Sequence, residues 1–365
     1  MESVLVSNQK NEAYQSIQAI FRANPLLVVG TGASCALSEK FGMKALTSEL
    51  LTKIPWLKKA FPLERDLLQN ISNKLESNID LETALKQVII PENLLHLIAK
   101  ITGDFVSKVD REYKLKCYRE KVKFPLENLI KLLYDGLPSG RILNIITTNY
   151  DCLIEHCCDK FQIPICAGFA GHLRKFYNWQ SARKQMECIE RVGKKKIIKH
   201  LPHVSLFKVH GSIDWFKDGD IFFSDASLMY DEMYDDKSNL LRQVIVPGDT
   251  KYFETHKNPY SVIKENANKA IRSANGFIFI GYGFNDVHIE DTIKNEILQN
   301  QKPAVIITRD LGYNVRELIK KSPEFWAIHK DGNNTLITHN GEKTLTVVNQ
   351  NIWQIDEFTK EILGG

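Results

Sequence analysis

The chain has 365 residues, 43% hydrophobic and 25% charged, with 48 basic and 44 acidic side chains and a formal charge of +4. That balance excludes disordered and collagenous classes, and a charge this mild does not by itself argue for nucleic acid. No apolar run approaches the roughly 18–20 residues that span a bilayer, and the start MESVLVSNQKNEAYQ lacks the basic flank and apolar stretch of a secretory signal.

Seven cysteines, an odd count spread thinly, read as reduced thiols of a cytoplasmic protein. A single core stops growing at about 250–300 residues, so the length calls for two domains or one core with large insertions. Residues 1–23 are predicted as a helix, with Val4, Ile17, Ile20 and Phe21 on one face. Asn24-Pro25 ends it, because the residue before proline avoids the helical region. Leu26–Val29 is a short apolar run that stops at Gly30 and reads as a buried parallel strand.

From Ser38 to Leu137 the pattern is helical, with helices predicted over 64–75, 81–89, 92–101 and 124–134 and first-turn prolines at Pro91 and Pro125. Strand character returns at 141–148, 204–209, 244–246, 276–280 and 303–308, with helices over 259–273, 286–299 and 314–321 between or after them. Strands alternating with helices indicate an α/β class: a Rossmann-like parallel sheet flanked by helices. Asn-Asn and Asn-Gly turns in 331–349 predict late strands or a hairpin, and Asp356–Leu363 a last helix. The reading is one catalytic domain over 1–365. Its core segments are 24–38 and 141–330, a helical insertion fills 39–140, and 331–365 adds C-terminal strands and a helix.

Four apolar strands run into loops rich in glycine and polar residues. They are Gly30-Thr31-Gly32-Ala33-Ser34, Asn149-Tyr150-Asp151, His210-Gly211-Ser212 and Gly281-Tyr282-Gly283-Phe284-Asn285-Asp286. Open parallel sheets bind ligands outside the carboxyl ends of their strands, so four such loops predict one site. Gly30 and Gly32 suit close approach of backbone N–H groups to a pyrophosphate, helped by the next helix's dipole. The full dinucleotide fingerprint is broken, because Cys35 stands at its third glycine.

Asn149 can meet a ribose hydroxyl or a water, and His210 can act as a general base. Tyr282 or Phe284 can pack on a base or nicotinamide ring. Asp286 either accepts from a hydroxyl or caps the helix after it. Cys152, Cys157, Cys158 and Cys166 cluster with His156 and His172 but form no C-x-x-C pair, so no metal is expected. The basic run Lys194-Lys195-Lys196, with Lys199 and Arg191, reads as a solvated loop, and direct nucleic-acid binding is not expected. Motifs of zinc proteases, α/β-hydrolases and P-loop enzymes are missing.

The four loops, with Thr147-Thr148 before Asn149 and Lys208-Val209 before His210, resemble the sirtuin-like superfamily. The likeness is closest to its bacterial NAD hydrolases of anti-phage defence. The chain departs from sirtuin deacylases in having no zinc-ribbon cysteines. It also reads Cys35-Ala36-Leu37-Ser38 where they carry G-I-P-x-F-R. The resemblance implies that NAD is a substrate, cleaved to nicotinamide and ADP-ribose, with Asn149 and His210 as the essential pair and Asp151 in support. It places Gly30, Thr31, Gly32, Ala33, Ser34, Thr148, Gly281, Tyr282, Gly283, Phe284 and Asp286 around the dinucleotide. It also implies a homo-oligomer, in some members with a hexameric HerA-type ATPase, and the insertion is the natural place for such contacts or for gating. The alternatives are a non-catalytic sensor of NAD or ADP-ribose and an NAD-dependent deacylase or ADP-ribosyltransferase.

Overall fold

A computed structural model describes residues 2–77, 79, 81–85, 89–138, 140–230, 241–245 and 259–364. Its centre is built from the strands Leu26–Val29 (β1), Ile142–Thr147 (β2), His203–Lys208 (β8), Phe277–Ile280 (β12) and Ala304–Thr308 (β13), of which β1 and β12 are wholly apolar and β8 mixes apolar with polar residues. All residues of β1, β8 and β12 are buried. Such strands need cover on both faces, which a parallel sheet between helix layers supplies. Ile165–Cys166 (β3), Phe325–Asp331 (β14), Asn334–His339 (β15) and Glu342–Val347 (β16) complete nine strands in the order β16-β15-β14-β13-β12-β1-β2-β8-β3. The pairs from β3 to β14 are parallel, and β15 and β16 are antiparallel additions.

Residues alternate between the two faces, so the sheet feeds two cores. Leu27, Val29, Ile145 and Ile278 pack with Ala13, Ile17 and Phe21 of the helix Glu2–Arg22 (α1). Leu26, Val28, Ile146 and Phe279 pack with Ile263, Ala267 and Ile271 of the helix Tyr260–Ser273. The chain leaves β1 for β2 and β8 on one side, then returns to β12 on the other. That reversal is a topological switch point, where strand ends diverge and leave a crevice.

The predicted insertion is helical: Met43–Ala60, Arg65–Glu76, Leu81–Leu85 and Glu92–Tyr118. It has its own core, including Leu46, Leu50, Leu68, Ile71, Leu94 and Ile98. Pro55 lies inside its first helix. The helix from 92 is longer than its predicted 92–101, and Pro91 is its N-cap residue. Pro125 stands before the Leu126 N-cap of Glu127–Asp135, so neither proline occupies the first turn. The helix expected over 81–89 is seen to Leu85, and 86–88 lie outside the described residues.

A second, antiparallel sheet was not foreseen. It joins Phe169–Gly171 (β4), Lys175–Tyr177 (β5), Gly211–Asp218 (β9), Ile221–Ser224 (β10) and Leu241–Ile245 (β11). Of the strand expected at 244–246, Val246 falls outside the described residues. Glu187–Val192 (β6) and Lys195–His200 (β7) form a separate hairpin. The predicted Asn-Gly turn joins β15 to β16, with Asn340 at φ 53 and Gly341 at φ 84, the pair of positive φ values a type I′ turn demands. The last helix runs from Ile355 to Phe358 and widens to a π turn over Thr359–Leu363. Among the described residues no helix is long and apolar enough to cross a membrane.

One buried contact ties the insertion to the loop after β2 and the helix Leu153–Lys160 that follows it. Asp110, on the helix Glu92–Tyr118, is 0% exposed. It accepts from the Cys152 N–H at 2.8 Å and lies 2.9 Å from His156 Nε2. Removing the acceptor exposes the cost of burying both donors, so Asp110→Ala is expected to lower stability by about 3 kcal/mol in urea unfolding. A loss below about 1 kcal/mol would show that the tie is not structural.

Candidate functional site

The carboxyl ends of β1, β2, β8 and β12 open on a cleft of about 700 Å³. Gly30, Thr31, Thr148, Asn149, Asp151, His210 and the turn Gly281–Asp286 line it. The insertion supplies an apolar wall of Phe41, Met43, Leu46, Phe105 and Val106. All four loops singled out in the sequence therefore meet. Gly32 and Ala33 line a neighbouring cavity of about 750 Å³ with Arg309 and Trp353, and Ser34 is buried behind the loop.

The glycines have a packing reason. A Cβ on Gly30 would lie 2.5 Å from the Gly281 carbonyl oxygen, and one on Gly32 would lie 2.8 Å from Gly281 Cα. Gly281 itself has φ +56, and its Cβ would stand 2.4 Å from Ala33 N. The amides expected to face a pyrophosphate are engaged within this contact. Gly30 N–H donates to Ile280, Gly32 N–H to Gly281 and Ala33 N–H to Gly30, each at 3.0 Å. The helix that follows is only Thr31–Cys35, so its dipole contribution is small. These three N–H groups are thus engaged within the protein: those of Gly30 and Gly32 join the first loop to the end of β12 and its turn, and that of Ala33 closes a turn within the first loop.

Asn149 is 6% exposed, and its Nδ2 donates to the Gly30 carbonyl at 3.1 Å and to Ser34 Oγ at 2.9 Å. Ser34 Oγ passes the contact on to Asp151 Oδ2 at 2.7 Å, and Asp151 Oδ1 accepts from the Leu153 N–H. Burial raises the Asp151 carboxyl above its ordinary value, offset in part by the Lys208 charge and the Ser34 hydrogen bond. With both Nδ2 protons engaged, Asn149 Oδ1 remains the acceptor for an incoming group; Thr31 Oγ1 reaches it only at 3.5 Å.

His210 is 6% exposed, and its Nε2 lies 2.5 Å from Asp286 Oδ2. Asp286 N–H donates to Glu290 Oε1 at 2.6 Å, which also accepts from the Tyr282 hydroxyl, while Lys294 pairs with Glu290 Oε2 at 2.8 Å. Asp286 therefore braces the histidine. Tyr282 and Phe284 line the cleft but turn into the core. Phe284 is 0% exposed, and its ring lies 4.7 Å from Phe279 and 5.1 Å from Tyr282. Fully buried in this arrangement, the Phe284 ring offers no open face to a ligand ring.

Sequence reasoning missed Lys208, although a charged residue in the run Val204–Val209 was a signal. Its ammonium is fully buried and donates to the Asp151 carbonyl at 2.6 Å and to Glu155 Oε1 at 2.8 Å. Burial opposes that charge, but Cys152, Glu155, Asp214 and Asp151 outweigh it and hold the ammonium above the ordinary lysine range. Glu290 was also missed, four residues after Asp286 on the same helix face.

Ligand atoms of Cys152, Glu155 and Asp214 lie within 4.8 Å of one another. The Lys208 ammonium already serves these groups, and burial pushes the Cys152 thiol well above its ordinary value, so it is a poor thiolate ligand. Cys157 and Cys158 are core residues, and burial pushes the Cys157 thiol up to about 12.

The loop contact gives a stability test. Gly281→Ala places a Cβ against backbone at positive φ, and is expected to cost about 2 kcal/mol or more in urea unfolding. An unchanged midpoint would show that the two turns can part without loss.

No curated protein sequence matches the chain. Among solved structures, Sir2Tm bound to a propionylated peptide is 11% identical, with a TM-score of 0.41, covering 93% of this chain and 92% of that one. A Sir2 complex with the inhibitor EX-527, 2′-O-acetyl-ADP-ribose and a deacetylated p53 peptide is 12% identical, with a TM-score of 0.38 and 93% of each chain covered. Residues 143–322, which hold Asn149, Asp151, His210 and the Gly281–Asp286 turn, match the family model of the SIR2-like domain.

Proposed function

We propose that the protein is an NAD glycohydrolase that releases nicotinamide and ADP-ribose, and that it serves as an effector of anti-phage defence. The observation that carries the reading is the pairing of two buried polar side chains, Asn149 and His210, at one switch-point cleft within the SIR2-like match. SIR2-like domains are associated with NAD-dependent enzymes. A sirtuin-type deacylase would also need a zinc ribbon, and this chain has no C-x-x-C pair.

The chemistry needs little acid catalysis. Water adds to the anomeric carbon of the nicotinamide ribose as the C–N bond breaks. The bonding pair returns to the pyridinium ring, so nicotinamide leaves neutral without a donated proton. The second carboxylate of ordinary glycosidases is therefore dispensable. Asn149 Oδ1 accepts from a ribose hydroxyl or the attacking water, its amide held by Gly30 and Ser34. His210 receives the water proton, and Asp286 at 2.5 Å orients the ring. The carboxyl groups of Asp151 and Asp286 give the site an electron-rich lining suited to an oxocarbenium-like transition state. The apolar wall from the insertion limits access of other water. A homo-oligomer, with or without a HerA-type ATPase, would hold such an activity in check until infection.

Purified protein incubated with NAD alone is expected to release nicotinamide without any acyl peptide. Asn149→Ala and His210→Ala should each lower the rate by about 100-fold or more, with a cooperative unfolding transition retained at a midpoint lowered by the buried partners left unpaired. Asp286→Asn should lower kcat by about 10-fold or more and move KM little, as expected of a group that orients the base. Parent-rate hydrolysis by both alanine variants would overturn the assignment. Binding of NAD without turnover would point to a sensor instead.

A further inference from the structure

The +4 charge of the chain is not evenly spread. Residues 183–199 hold seven basic and two acidic side chains, net +5, so the rest of the chain is at −1. The structure gathers most of this charge on the β6–β7 hairpin. These strands pair only with each other among the described residues. Six residues on each side give an arm of about 20 Å. Arg191 and the run Lys194–Lys196 at its tip are all exposed.

Directly opposed residues share a face of a ribbon. Arg191 opposes Lys196, which places both on one face, and Lys195 falls on the other. The acids sit nearer the root, where Glu190 pairs with Lys199 and Glu187 with Arg183. The arm also exposes large aliphatics: the opposed pair Ile189 and Ile198 at 67% and 63%, and Ile197 at 41%. A lone two-stranded ribbon is marginal in water, so aliphatics left exposed on it point to a partner that covers them.

We infer that the β6–β7 hairpin is a nucleic-acid-binding arm that enters a groove of duplex DNA. The charge complementarity is to a polyanion. Cations on both faces suit a groove walled by phosphates on either side, whereas a membrane or a flat acidic protein surface meets one face. The major groove admits a two-stranded ribbon, and apolar side chains there contact thymine methyl groups. The inference is independent of the NAD reading. It replaces the solvated loop expected for the lysine run, whose weight was masked by the mild overall charge.

The test is anisotropy of a short fluorescein-labelled DNA duplex titrated with the full chain between about 50 and 200 mM salt. Affinity should fall steeply with salt. The combined variant Lys194→Ala, Lys195→Ala, Lys196→Ala should bind about 10-fold or more weaker, with a log–log salt slope smaller by about 3. Its unfolding midpoint should not move, because all three side chains are exposed. The variant Ile189→Ser, Ile198→Ser should weaken binding while leaving the salt slope intact. No binding by the parent chain at the lower salt would overturn the inference, as would an unchanged slope in the lysine variant. Binding to polyglutamate or phosphatidylserine vesicles but not to the duplex would assign the arm to another partner and overturn it too.

Discussion

The site depends on one backbone contact. The turns that leave β1 and β12 lie so close that no side chain fits between Gly30, Gly32 and Gly281. The two strands are parallel neighbours in the sheet, but the next paired strands lie on opposite sides, β2 beside β1 and β13 beside β12. Their exits would diverge there, and glycine lets the backbones bond directly across the gap instead. The Gly30 carbonyl is left to accept from Asn149, so the contact that closes the switch point also aims the amide.

From that amide a chain of buried polar groups runs through Ser34, Asp151, Lys208 and Glu155. Each link is hydrogen-bonded, which is the condition under which a buried ammonium and its carboxyl partners are tolerated. Such a network rigidifies the loop that carries Asn149. Asp110 meets the same loop at the Cys152 N–H from the insertion. The insertion is therefore not an appendage: it walls the cleft and bonds to the loop that bears Asn149. Any shift of its helices would reach that loop directly.

Average charge proved a poor guide to surface character. A value of +4 over 365 residues conceals a segment of +5 over 183–199, of which the projecting ribbon Glu187–His200 carries +3. Composition counts charges, while only the strand register says which of them share a face and which stand clear of the body.

The sequence by itself determined the α/β class, the central strands and the four loops at their carboxyl ends. Fully buried strands need continuous apolar runs, and glycines or capping residues must follow them, so both leave local marks. It also marked Asn149 and His210 as candidates. Tertiary structure alone decided what each group touches. Lys208 and Asp151 lie 57 positions apart and His210 and Asp286 lie 76 apart, distances at which no periodicity in the chain carries information. The antiparallel sheet from β4 to β11 was hidden for the same reason, since its short strands gain their identity from partners far along the chain. The glycines of the first loop were legible as glycines, but their purpose was not: the neighbour that excludes a side chain there comes from Gly281, about 250 residues later, and only folding brings it within reach.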